Sequence, residues 1–154
     1  MNFDYKVLLG LLAVFISLPG YVIYIRNTLS GKTKPQFYSW LIWAVLAGIG
    51  YSSQIVSNAG PGSWVTGVTV LGCGVIAVLA LFKGDMHLSG VDKVLLGLSS
   101  IAVLLRVLTD NPLEALILAV GAALVGYVFT SKKAYSNPQQ ETVITYVLNS
   151  VKFF

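Results

Sequence analysis

The sequence predicts an all-α, polytopic membrane protein, and three observations carry that prediction. Of its 154 residues, 56% are hydrophobic and only 10% charged, where an ordinary soluble domain holds about 25% charged residues. The apolar residues gather in five blocks, at 5–25, 37–56, 64–82, 91–108 and 113–129. The basic residues gather in every second loop between those blocks. A helix needs about 20 apolar residues, with about 17 a workable minimum, to cross a hydrocarbon core of about 30 Å. Backbone polar groups in lipid must be satisfied within the segment, so blocks of this kind are helices.

The first block follows a leader, Met1 to Lys6, with no net positive side-chain charge. The block is longer than a signal-peptide core and no Ala-x-Ala site follows it, so it reads as a spanning helix. Pro19 removes one backbone hydrogen bond and should kink the inner half of this helix, making Pro19 and Gly20 the candidate hinge. The second block is the most polar and aromatic, with Ser39, Trp40 and Trp43 near one end and Tyr51, Ser52, Ser53 and Gln54 near the other. Trp40, Trp43 and Trp64 all sit near block ends, where the aromatic belt of a membrane places tryptophan by default. Uncharged donors and acceptors inside a span cost free energy unless they bond each other or face water. A hydrated cavity for a neutral polar solute and hydrogen bonding between helices both answer that cost.

The third block carries the single Cys73, between Gly72 and Gly74, which excludes a disulfide within the chain and reads as small packing. In the fourth block Arg106 is the one charge drawn into an apolar stretch, four residues before Asp110 and so able to share a helix face with it. Ala44 with Gly48, Ala115 with Ala119 and Ala123, and Ala122 with Gly126 are each four apart, a spacing that lets helices approach closely. A sixth helix is expected to begin at Thr142. From there to Phe154 it would reach only about 20 Å at about 1.5 Å per residue. The chain is therefore expected to be a fragment of a longer protein.

The net charge of +4 follows the topology. Arg26, Lys32 and Lys34 lie in one loop, Lys83 and Lys93 flank another, and Lys132 and Lys133 follow the fifth block, whereas 57–63 and 109–112 hold no Lys or Arg. Under the positive-inside rule the basic loops are cytoplasmic and the amino terminus is outside, in a cell (inner or plasma) membrane. Anionic headgroups account for the basic residues, so no nucleic-acid partner is expected. Nothing in the sequence points to an enzyme. His87 stands beside Asp85 and Met86 with no second ligand cluster, so neither a metal nor a cofactor nor a catalytic residue is expected. Every carboxylate lies within a few residues of a block end, which leaves no intramembrane acid relay.

An internal repeat organises the blocks. Leu18-Pro19-Gly20-Tyr21-Val22 leads to Arg26 and Ser30, and Leu124-Val125-Gly126-Tyr127-Val128 leads to Lys132 and Ser136 at the same offsets. Loops with Pro35-Gln36 and Pro138-Gln139 follow. Four crossings separate the two copies, so they share one polarity, which makes a parallel repeat about the membrane normal. The expected layout is a first three-helix unit over 1–84, a linker helix over 85–110, and the start of an incomplete second unit over 111–154.

With Pro19 in the first helix, then Arg26, then Lys32-Thr33 leading into Phe37-Tyr38-Ser39-Trp40, this layout resembles the PQ-loop superfamily, which includes the SWEET and SemiSWEET transporters. Lys132, Lys133 and 138–142 look equivalent in the second unit. Two positions depart from the family pattern, Gly20 where glutamine is usual and Val125 where proline is usual. The resemblance implies alternating access for a small uncharged or zwitterionic solute; the alternative is a membrane receptor or sorting protein on the same architecture, as in the KDEL-receptor branch. Ser39, Trp43, Tyr51 and Gln54, with Asn149 from the sixth helix, are the candidate solute-binding residues. The expected partners are the lipid bilayer and that solute, and association into a homo-oligomer stays open.

Overall fold

The computed structural model describes residues 5–109, 112–136 and 147–148, and it is helical. The elements are α1 (Tyr5–Leu29), α2 (Phe37–Val56), a 3-10 turn (Gly60–Ser63), α3 (Trp64–Lys83), α4 (Gly90–Leu108) and α5 (Pro112–Ser136). Among the described residues, three segments are long and apolar enough to cross a membrane: Tyr5–Leu29, Phe37–Val56 and Gly60–Lys83. This is the signature of a membrane-embedded protein. α4, with Asp92, Lys93 and Arg106 in its length, and α5 complete the same bundle.

Apolar blocks and helices agree closely, and the differences have local causes. α1 continues past the apolar block through Arg26 to Leu29 because nothing in Arg26–Leu29 breaks a helix. Gly31 ends it. With φ +74, Gly31 donates its N–H to the Thr28 carbonyl at 3.1 Å, and Lys32 donates to the Asn27 carbonyl at 2.9 Å, the paired bonds of a Schellman cap. α5 likewise runs through Lys132 and Lys133 to Ser136, where a loop was expected. Pro19 stands inside an unbroken α1.

Contacts at the helix ends fix the direction of each element. α3 lies between α1 and α2, and α2 also packs on α4 and α5. Gly10 of α1 approaches Pro61 so closely that an added Cβ would sit 2.7 Å from the Pro61 carbonyl oxygen. At the other end, Lys83 Nζ donates to the Leu29 carbonyl at 2.9 Å. Tyr51 of α2 packs on Gly67 of α3, and Ser39 of α2 meets Asp92 of α4. Thus α1 to α4 alternate in direction, α2 and α4 run parallel, and the loops 30–36 and 84–89 share one end. There the backbone N–H of Phe37 donates to the Asp85 carbonyl and that of Asp85 to the Pro35 carbonyl, both at 2.9 Å. Gly84 makes this bridge feasible, because a Cβ there would collide with the Pro35 oxygen.

Two cores result. Ile42, Leu46 and Ile49 of α2 pack with Leu95 and Ala102 of α4 and with Ala115, Ala119 and Ala122 of α5. Of the alanines predicted for close contact, Ala115, Ala119, Ala122 and Ala123 sit at this core, whereas Ala44 packs at the second one. Gly48 sits at neither: open space surrounds its Cβ position. On the opposite face of α2, Trp40 packs with Tyr21 and Tyr24 of α1 and Cys73, Ile76 and Ala77 of α3. Trp40 is therefore no interfacial anchor. Its ring lies 4.7 Å from that of Tyr24, and its Nε1 donates to the Tyr24 hydroxyl at 3.2 Å. Trp64, 41% exposed, suits the belt role. The tyrosines of the two Gly-Tyr-Val copies meet different surroundings, Tyr21 buried against Gly72 and Tyr127 48% exposed.

Candidate functional site

The polar chemistry of the bundle concentrates along the seam between the parallel helices α2 and α4, at its two ends. One end is built by a helix start. Ser89 caps α4, accepting from the Asp92 N–H at 3.2 Å, while the Asp92 carboxylate accepts in return from the Ser89 N–H at 3.0 Å. This reciprocal pair is a capping box. Here the box is also a junction. Asp92 Oδ2 accepts from Gln36 Nε2 and from the Ser89 hydroxyl, each at 2.6 Å, and the Ser39 hydroxyl lies 3.2 Å from Oδ1. Gln36 gives its second amide proton to the His87 carbonyl at 2.9 Å, and its own oxygen lies 2.9 Å from the Ser39 hydroxyl.

Asp92 is 4% exposed. A buried carboxylate is tolerated only when hydrogen bonds replace its hydration, and the donors from Gln36, Ser39 and Ser89 do that. The His87 backbone N–H is held by Asp85 Oδ1 at 2.8 Å, which orders the loop that supplies the carbonyl to Gln36.

The other end of the seam is held by Arg106 of α4, whose Nε donates to the Ser52 hydroxyl of α2 at 3.2 Å. The expected partner of Arg106, Asp110, lies outside the described residues. Ser52 and Ser53 spend their own protons on one acceptor, the Ile49 carbonyl, at 2.8 and 3.0 Å. Bonding back to the preceding turn satisfies hydroxyls in an apolar span without any cavity. Gln54 is not satisfied in this way: its Oε1 is buried without a hydrogen-bond partner among the described residues, as is Thr66 Oγ1 of α3.

The sequence-predicted residues are therefore dispersed. Ser39 belongs to the Asp92 junction. Trp43 packs beside Trp40, on the face toward α1 and α3. Tyr51 rests on Gly67, and Gln54 lies at the far end. Ser39 and Gln54 are fifteen positions apart on one helix, about 22 Å at 1.5 Å per residue. Asn149 lies outside the described residues. Two surface cavities occur elsewhere: one of about 340 Å³ lined by Ile55, Asn58, Pro61 and Trp64 among others, and one of about 260 Å³ lined by Ile23, Arg26, Asn27, Ser30 and Lys32.

Sequence reasoning missed Gln36, Ser89 and Asp92. A signal existed, since Ser89-x-x-Asp92 before an apolar run is the capping-box pattern. No pattern along the chain joins it to Pro35-Gln36, more than fifty positions earlier. Among the described residues no group of histidine, cysteine and acidic side chains could hold a metal ion. No protein-family model, curated protein or solved structure matches the chain.

Proposed function

We propose that the protein moves a small polar, uncharged or zwitterionic solute across the membrane by alternating access. In this reading α1, α2 and α3 act as one unit, α4 as the linker, and α5 opens a second, parallel unit of PQ-loop type. The observation that carries it is the pair of polar closures at opposite ends of one seam. The Gln36–Ser39–Asp92–Ser89 junction and the Arg106–Ser52 bond join the same two helices. A transporter needs two barriers that break in turn, and hydrogen bonds between side chains break and reform at small net cost. α1 and α5 also start at the same end of the bundle, the polarity that a parallel repeat requires.

Purified protein in liposomes, offered labelled sugars, amino acids and vitamins one class at a time, tests the proposal. Saturable uptake of one class is expected, running down the solute gradient and surviving collapse of proton and sodium gradients. Failure of every class, with the protein folded and inserted, would reject transport and favour the receptor alternative.

A further inference from the structure

We propose that the cavity at the carboxyl end of α1 binds the phosphodiester headgroup of an anionic membrane lipid. Its walls are Ile23, Arg26, Asn27, Ser30 and Lys32, around about 260 Å³. Arg26 and Lys32 bring two cations to one concavity. Among the described residues no carboxylate pairs with either, and the nearby acids are already engaged, Asp85 by the His87 N–H and Asp92 by its own junction. The Ser30 hydroxyl donates to the Asn27 carbonyl at 3.2 Å, so Arg26 and Lys32 supply the charge that an anion would meet.

The carboxyl end of a helix carries a partial negative charge, which would oppose an anion there. Two features cancel that opposition. The Schellman bonds at Gly31 and Lys32 engage the Thr28 and Asn27 carbonyls, and Lys83 places its ammonium on the Leu29 carbonyl at 2.9 Å. Lys83 thus neutralises the helix end and leaves Arg26 and Lys32 for a ligand. The same cap fixes the backbone of Lys32 relative to that of Arg26, so both side chains start from set positions at the rim of the cavity.

The cavity also lies where a lipid would put its phosphate. Ile23 forms its apolar side, and Val22, Ile23 and Leu29 are exposed on a helix long enough to span the membrane. Arg26 and Lys32 come just beyond the last long apolar run of that helix, at headgroup depth. A soluble anion would gain nothing from the apolar wall, whereas a lipid extends its acyl chains along it.

The test is native mass spectrometry of the whole chain released from nanodiscs of phosphatidylcholine doped with phosphatidylglycerol. Parent protein is expected to retain phosphatidylglycerol over phosphatidylcholine. Arg26→Gln and Lys32→Gln should each lower that retention roughly tenfold, the loss of one charge-assisted hydrogen bond to the phosphate. Lys34→Gln and Lys93→Gln, at the same end but outside the cavity, should leave it unchanged, and circular dichroism should show all four variants folded. Equal losses in the Lys34 and Lys93 variants would overturn the site in favour of diffuse attraction. Displacement of the lipid by millimolar inorganic phosphate would overturn the lipid as its ligand. Neither result depends on whether the protein transports a solute.

Discussion

Asp92 shows how one side chain sets the cost of changing several others. Its carboxylate is buried and receives Gln36 and both donors of Ser89 on a single oxygen. Replacing it by alanine strips these half-buried donors of their shared acceptor, so Asp92→Ala should destabilise the protein by about 1–3 kcal/mol. Asp92→Asn keeps the shape but cannot present two acceptor oxygens, and about half that loss is expected. Ser89→Ala removes the cap together with the hydroxyl donor to Asp92, leaves the Gln36 bond in place, and should cost about 1–2 kcal/mol. Unfolding in mixed micelles checks the order of the three. Equal stability of Asp92→Ala and the parent would show that the junction contributes nothing to the fold.

At the scale of elements, the contact between α1 and α3 depends on a glycine. A Cβ on Gly72 would stand 2.5 Å from Tyr21 Cδ1, and Tyr21 is itself buried, so the ring has nowhere to retreat. Gly72→Ala should therefore cost roughly 1–3 kcal/mol through overpacking. The matched change Gly74→Ala, where the neighbouring space is open, should be neutral or slightly stabilising because alanine favours helix. Thermal melting of the two variants separates these outcomes, and a Gly72→Ala protein as stable as Gly74→Ala would remove the tight α1–α3 contact. The sequence showed Gly72-Cys73-Gly74 as small packing but could not say which glycine faced a partner. Helical periodicity gives a face, and only the neighbouring helix decides whether that face is crowded.

For the molecule as a whole, the alternation of α1 to α4 sorts the loops into two sets. The loops 30–36 and 84–89 lie at one end, with Arg26, Lys32, Lys34, Lys83 and Lys93 near them; the turn at 57–63 lies at the other. If the basic end is cytoplasmic, as positive charge favours, a cysteine at Ser57 should react with an impermeant maleimide on intact cells, and one at Ser30 only after lysis. These exposed neighbours avoid Asn58 and Gly31, whose positive φ a new side chain would strain. Native Cys73 is buried and adds little background. The reverse labelling pattern would invert the orientation and move the proposed lipid site to the outer leaflet.

Apolar block length alone determined where α2 and α3 run as helices, because a membrane-length apolar segment has few other ways to satisfy its backbone. Local chemistry also sets two of the ends, Gly31 stopping α1 and Ser89 starting α4, although the block pattern ended the first helix at residue 25 and passed over the Ser89 cap. Tertiary structure decided which polar residues meet. Trp40 left the expected interfacial belt for a bond to Tyr24, Arg106 found Ser52, and Gln36 joined Asp92 across more than fifty positions. Each pairing depends on the packing of helices distant in sequence, and periodicity along one segment carries no information about its partner's rotation or depth.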